Sequence, residues 1–136
     1  MAIPIPGTRL AALRPSPALL AETKRLDIPS YAAKEGAYLL SRFKTLMETQ
    51  ESIGNVRGKG LMMAIEFVAD RKTKQPAGKN FMSELGDRIY EAGALVRIVG
   101  HSILMSPPLI LTRKDSDEIA DAVEAGLSQT RLSPAN

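Results

Sequence analysis

The chain has 136 residues, of which 44% are hydrophobic and 24% are charged, with a net charge of +3 and a pI of about 9.3. It has no cysteine and one histidine, His101, which excludes disulfides, thiolate metal sites and sites built from several histidines. The length predicts one domain with a real core, and because no apolar run approaches the ~20 residues of a membrane span, we expect no membrane partner.

The positive charge does not predict a nucleic-acid partner. Basic and acidic residues are interspersed, and aromatic residues, which stack on bases, make up only 4% of the chain. We interpret the basic run Arg71–Lys74 as a solvated loop. Residues 1–7 lack the charged and apolar regions of a signal peptide, so we expect a cytoplasmic location.

The chain begins with a proline-rich segment. Four prolines and a glycine make residues 1–17 an extended or disordered arm. Residues 18–26 then predict a short helix, which we expect Pro29 to end.

The strongest helix signal follows Ser30, a suitable N-cap residue. Apolar residues recur at spacings of three and four as far as Met47, which predicts a helix with one apolar stripe. Gly36 lies inside that stripe and costs helix propensity, so we expect it to mark close approach to another backbone. Residues 52–55 are expected to form a loop.

Residues 61–68 organise the rest of the chain, because their side chains alternate with the period of two that is typical of a β-strand. Gly58 and Gly60 precede the strand and allow a positive φ angle or a bulge. The segment around them is not a phosphate-binding loop, because a strand rather than a helix follows. Glu66 is expected to face solvent or pair with a basic neighbour.

The second half predicts two helices separated by a hairpin. After a polar loop, a helix over about residues 80–92 ends at Gly93. Strands at 94–98 and 103–105 form the hairpin, and Thr112 begins the last helix with a capping box. The order α-α-β-α-β-β-α predicts an α/β fold (α+β two-layer sandwich), in which helices cover one face of a small three- to four-stranded sheet.

Arg97 is the strongest candidate for a ligand-binding residue. It interrupts an apolar strand, and a guanidinium there is suited to bind a carboxylate through two parallel hydrogen bonds. An edge-strand arginine that points to water is an equally good interpretation of these residues alone. His101 lies in a glycine turn and is expected to be exposed, so no nucleophile with a base can be assembled.

Two motifs resemble those of class III pyridoxal-phosphate-dependent aminotransferases, namely Val56-Arg57-Gly58-Lys59-Gly60-Leu61-Met62 and Ser106-Pro107-Pro108-Leu109-Ile110. A short Leu-Val-Arg strand lies between them and a capped helix follows. Their order and spacing are similar to those in the small C-terminal domain of this family's fold type I enzymes. The resemblance covers about residues 18–129.

The resemblance implies that residues 18–130 form this small domain, between the arm 1–17 and a frayed tail 131–136. In the family, the large domain supplies the lysine that binds pyridoxal phosphate (PLP), the aspartate at the pyridinium nitrogen and the phosphate-binding loop. None of these matches a segment of this sequence. We therefore expect the large domain to be a missing partner, and PLP to bind only in the complete enzyme. The isolated chain should lack cofactor and transaminase activity and should self-associate.

Two positions narrow the subclass that the resemblance implies. Arg97 matches the arginine that binds the substrate carboxylate in pyruvate-dependent ω-aminotransferases, and Leu104 occupies the place where relatives that use 2-oxoglutarate tend to carry an arginine. Arg57 is assigned a structural role at the entrance of the strand over residues 61–68. The implied function is amino-group transfer from an ω-amino acid or amine to pyruvate in the complete enzyme, with no catalytic residue on this chain. The alternative is a stand-alone α/β module for binding or assembly.

Overall fold

The computed structural model describes residues 16–131, so residues 1–15 of the predicted arm and 132–136 of the predicted tail lie outside it. The elements in chain order are α1 (Pro17–Arg25), α2 (Ile28–Thr49), β1 (Ile53–Lys59), β2 (Met62–Asp70), β3 (Gln75–Pro76), α3 (Lys79–Glu91), β4 (Arg97–Val99), β5 (Ser102–Met105) and α4 (Arg113–Gln129).

Four strands form an antiparallel sheet in the order β1-β2-β5-β4, and the two-residue β3 pairs with the end of β2. Helices α2, α3 and α4 share one hydrophobic core with one face of this sheet. The other face, which we call the open face, carries the alternate side chains of the same strands. The predicted α/β two-layer architecture, with helices on one face, is therefore confirmed.

The core lies between the helices and the strands' inward side chains. Its fully buried residues include Leu39 and Phe43 of α2, Ile65 and Phe67 of β2, Leu85 and Ile89 of α3, Ile103 of β5 and Val123 of α4. The predicted alternation in β2 is present, because Met63, Ile65 and Phe67 all lie in this core.

Gly36 packs against the turn between β1 and β2, as its position in the apolar stripe predicted. A Cβ atom on Gly36 would lie 2.0 Å from the carbonyl oxygen of Gly60. Gly60 itself has a φ of +56°, which matches the positive φ predicted for this segment. Two glycines thus let α2 approach the sheet backbone directly.

Three predictions for the first half were wrong. Residues 53–55 are not a loop but the start of β1, because antiparallel pairing with β2 overrides the low strand propensity of Gly54 and Asn55. Helix α2 begins at Ile28 rather than after Ser30, with Asp27 as its N-cap. Pro29 does not end a helix but lies in the first turn of α2. Backbone N–H groups in a first turn have no acceptor within the helix, so a proline, which lacks this group, costs no hydrogen bond there.

The second half follows the predictions more closely, but β4 begins only at Arg97. Ala94, the first residue of the predicted strand, instead belongs to the C-terminal end of α3. There Gly93 has a φ of +103° and the Ala94 amide donates to the carbonyl oxygen of Ile89. The capping box at the start of α4 is confirmed, since Thr112 and Asp115 exchange hydrogen bonds. Asp115 accepts hydrogen bonds from the hydroxyl and the backbone N–H of Thr112. These two bonds, of which the one from the hydroxyl has the larger effect, hold the pKa of Asp115 below its usual value.

A polar seam that sequence reasoning missed joins α2 to α4. Arg113 donates to Glu35 at 2.9 Å and stacks 3.5 Å from the centre of the Tyr38 ring. One turn further along, Arg42 and the Tyr38 hydroxyl both donate to Asp117, at 2.6 and 2.5 Å. The seam fixes the angle at which α4, and the segment before it, meets the sheet.

Residues 71–74 form an exposed turn, as predicted, but the side chain of Arg71 is not simply solvated. Its guanidinium donates to the carbonyl oxygens of Met47, Gln50 and Ile53, and so joins the end of α2 to the start of β1. Charged donors satisfy helix C-terminal carbonyls that have no helical partner.

We expect Arg71→Ala to lower the free energy of unfolding by about 1–3 kcal/mol, because several charge-assisted hydrogen bonds are lost together. Urea denaturation of the two proteins measures the change. Lys72→Ala, in the same exposed loop, is the control and should change stability by less than about 0.5 kcal/mol. Equal effects of the two substitutions would show that the three Arg71 bonds contribute nothing.

Within residues 16–131, no helix is both long enough and apolar enough to cross a bilayer. Nor do three or more metal-ligating side chains come together in that range. The cytoplasmic location stays a prediction.

Candidate functional site

The candidate site lies on the open face of the sheet. Strand pairing places four residues in one row, with Arg57 opposite Ala64, Ala64 opposite Leu104, and Leu104 opposite Arg97. Residues in register across a sheet point to the same face. The two arginines are therefore at opposite ends of a row that has two apolar residues at its centre.

Arg97 occupies the edge strand β4 and is exposed. None of the ion pairs among residues 16–131 involves it. Its strand partner, Leu104, is 37% exposed and carries no polar group to compete for the guanidinium. The charge of Arg97 is thus available to an incoming anion, and its ligand-binding role stays a prediction beside the alternative of an edge-strand arginine that points to water.

A groove of about 1030 Å³ runs past both ends of this row. Arg57 and Arg97 line it, together with Leu104 and the Ser-Pro-Pro segment 106–108. Leu95, which also lines the groove, is 87% exposed.

Two acids of α4 line the groove as well, and each has a partner of its own, because Asp115 accepts hydrogen bonds from Thr112 and Glu118 pairs with Lys114 at 3.5 Å. Of the two lining arginines, Arg57 pairs with Glu66 and Arg97 has no ion-pair partner among residues 16–131. One available cation beside apolar surface suits a small ligand that has an anionic end and an apolar body.

Arg57 is part of a charged group on the same face. Its Nη1 atom donates to Glu66 Oε2 at 2.8 Å, and His101 Nε2 lies 3.8 Å from Glu66 Oε1. Glu66 thus pairs with a basic neighbour, as predicted. Arg57 does not lie at a strand entrance but within β1, with more than half of its side chain exposed.

A protein-family comparison decides the family. Residues 11–127, most of the chain, match the model of the class III aminotransferases. The chain belongs to this family.

Curated relatives of the chain are aminotransferases and a racemase. It is 34% identical over 115 residues to alanine–glyoxylate aminotransferase 2 homolog 2 of Arabidopsis thaliana, covering 82% of this chain and 24% of the relative. It is 34% identical to the leucine/methionine racemase of Thermococcus litoralis, covering 86% and 26%, and 33% identical to the taurine–pyruvate aminotransferase of Bilophila wadsworthia, covering 74% and 24%. The chain thus spans about a quarter of the length of these relatives.

Solved structures of transaminases have the same fold. An amine transaminase from an uncultivated Pseudomonas species, in its PLP-bound form, matches with a TM-score of 0.79 and 40% identity, covering 84% of this chain and 26% of that one. A thermostable (S)-enantioselective ω-transaminase from Thermomicrobium roseum matches with a TM-score of 0.75 and 34% identity, covering 82% and 25%. The resemblance to class III aminotransferases that the two motifs predicted is confirmed.

Complete class III aminotransferases use PLP, but the described residues of this chain do not form a PLP site by themselves. Such a site needs a lysine in a pocket closed to water, beside an acid and a phosphate cradle. All eight lysines of the sequence lie within residues 16–131, and every one of them is exposed. No step that passes through the cofactor is therefore assigned to these residues.

The sequence identified Arg97 and the Arg57 motif, but not their alignment in one row. That alignment depends on the pairing of β2 with β5, whose residues lie about 40 positions apart in the chain. Alternation within each strand does indicate which residues share a face, so the open face was predictable once the pairing is known.

Proposed function

We propose that this chain acts as the small C-terminal domain, residues 18–130, of a class III ω-aminotransferase. The complete enzyme transfers an amino group from an ω-amino acid or amine to pyruvate, and a large domain supplies the PLP lysine. The proposal is supported by the chain's coverage of about a quarter of its relatives, together with the exposure of all its lysines. It leaves the chain with a binding role rather than a catalytic one.

Within that enzyme, Arg97 binds the substrate carboxylate. The observation that carries this assignment is an exposed guanidinium without an ion-pair partner among residues 16–131, at the edge of a groove with apolar walls. An arginine fork binds a carboxylate through two parallel hydrogen bonds, and the bonds strengthen where water is excluded. Because Arg97 lies on a short edge strand, its long side chain has room to turn away when an amine without a carboxylate binds.

The pairing of β4 with β5 supports pyruvate as the acceptor. Leu104, the position at which the resemblance implies an arginine in enzymes that use 2-oxoglutarate, is the direct strand partner of Arg97. Either position therefore presents its side chain to the same part of the groove. With arginine at 97 and leucine at 104, this chain offers that part of the groove one cation, which matches an acceptor with one carboxylate.

Exposed apolar side chains outside the strands also support the predicted partners. Leu95 is 87% exposed and Ile110 is 74% exposed, which is a large apolar area to leave in water. In the proposed enzyme the large domain covers part of this surface. In the isolated chain it drives self-association.

A hybrid enzyme tests the proposal. Residues 18–130 replace the matching segment of the 40%-identical Pseudomonas amine transaminase, which supplies the rest of the polypeptide. We expect the hybrid to retain PLP, measured by absorbance, and to convert an amine with pyruvate in preference to 2-oxoglutarate. The isolated chain, tested in parallel with added PLP, should show no turnover. Turnover by the isolated chain would contradict the proposal. A folded hybrid that binds no PLP would favour the stand-alone module.

A further inference from the structure

The charged group around Arg57 has no role in the function proposed above. Arg57 shares a face, a row and a groove with Arg97, yet a carboxylate binding site needs only one of them. Three strand spacings separate the two Cα atoms, a distance of about 14 Å. Residues between them in the row are apolar, namely Ala64 and Leu104.

From this arrangement we infer that the groove takes ligands with an anionic group at each end of an apolar chain, and that Arg57 binds the distal one. This inference rests on the proposed function, since it assigns the first anionic group to Arg97. It extends that function by naming a substrate class, long-chain amino or keto acids that carry a second, distal carboxylate.

Charge on the open face supports two anionic groups rather than one. The two sheet rows that hold Arg57, Arg97 and Glu66 contain Glu66 as their acid, and it pairs with Arg57. Asp115 and Glu118 of α4 also line the groove, but Asp115 accepts from Thr112 and Glu118 pairs with Lys114 at 3.5 Å, so neither neutralises Arg97. Arg57 is 55% exposed and makes one hydrogen bond, to Glu66, so most of its fork is free to bind a ligand. A carboxylate that reaches Arg57 can share it with Glu66 or displace that side chain towards His101, which lies 3.8 Å from it.

The floor of the groove supports a chain of methylene groups between the two anions. Leu104 is 37% exposed and Met62 is 71% exposed, and neither carries a charge that an apolar ligand would have to desolvate. The two Cα atoms are about 14 Å apart, and a longer ligand needs less bending of the two arginine side chains towards each other, so we expect a preference for the longer members of a series.

Titration of the ¹⁵N-labelled chain with dicarboxylates, followed by NMR, tests the inference without depending on turnover. The probes are the series from succinate to sebacate, with octanoate as a monocarboxylate of the same length as suberate. We expect suberate to bind roughly twofold to fivefold more tightly than octanoate, the range for one added exposed ion pair. Amide shifts should appear at both Arg57 and Arg97 with suberate.

Variants separate the two arginines. Arg57→Gln should reduce suberate affinity to that of octanoate and leave octanoate binding unchanged, whereas Arg97→Gln should weaken both ligands. Glu66→Gln removes the competing carboxylate and should strengthen suberate binding. Arg88→Gln, which changes a partly exposed arginine on α3, is the matched control.

Each outcome has one meaning. If Arg57→Gln leaves suberate binding unchanged while Arg97→Gln weakens octanoate, the inference is wrong and the role of Arg97 stands. If Arg97→Gln affects neither ligand, the proposed carboxylate site itself is wrong. Absence of any shift at Arg57 with the longest probe also overturns the inference.

Discussion

Replacing Gly36 by alanine is expected to destabilise the domain by about 3 kcal/mol or more, the upper end of what overpacking costs. The new methyl carbon would lie 2.0 Å from the carbonyl oxygen of Gly60 and 2.3 Å from its carbonyl carbon, which are backbone atoms that cannot rotate away. Helix α2 would have to move off the β1–β2 turn. The core contacts of Leu39 and Phe43, on the same helix face, would loosen with it. Urea denaturation followed by circular dichroism measures the loss.

The neighbouring residue provides a sharp control. Helix propensity alone predicts that Gly36→Ala stabilises α2 by about 1 kcal/mol and that Ala37→Gly, at an exposed position, destabilises it by the same amount. The close approach of Gly36 to Gly60 predicts instead that both substitutions destabilise the domain, and that Gly36→Ala lowers the free energy of unfolding more than Ala37→Gly does. A stabilising Gly36→Ala would show that α2 does not contact the turn as described.

Arg97→Ala, made in the hybrid enzyme, is expected to reduce use of pyruvate and β-amino acids by roughly 10- to 100-fold. A charge-assisted contact to a carboxylate contributes about 1.5–3 kcal/mol, and each 1.4 kcal/mol corresponds to a factor of ten. Amines without a carboxylate never make this contact, so their half-reaction should lose much less. Single-turnover kinetics of the two half-reactions measure the difference.

Two further variants show whether the loss of activity in Arg97→Ala comes from lost binding of the substrate carboxylate. Arg97→Lys should recover only part of the activity, because an ammonium group offers a point charge rather than a fork. Arg88→Ala removes a partly exposed arginine from α3 and should leave both half-reactions unchanged. Equal losses with amine and carboxylate substrates after Arg97→Ala would mean that Arg97 supports the fold instead.

Local signals in the sequence account for most of the fold. The alternation in β2, the cap formed by Thr112 and Asp115, and the helix end at Gly93 each depend on a few adjacent residues. Strand β1 was missed because glycine and asparagine at its start carry no strand signal, and only its pairing with β2 defines it.

The candidate site was predictable in its residues but not in its geometry. A lone arginine in an apolar strand indicated Arg97, and the structure adds its strand pairing with Leu104 and the lack of an ion-pair partner within the part of the chain that is described, residues 16–131. The contacts of Arg71 and the ion pair between Arg113 and Glu35 join segments far apart in the chain, so no spacing rule could reveal them. Such contacts depend on how the elements pack, which the sequence specifies only collectively.

The division of the sheet into a core face and an open face has a consequence for how this domain can change. Successive positions along β2 and β5 alternate between the two faces, so a substitution at Ile65 or Ile103 alters stability, whereas one at Leu104 alters the groove. Mutations that retune recognition therefore carry little folding penalty. The same backbone can acquire new ligand preferences one residue at a time, on a scaffold whose interior stays constant.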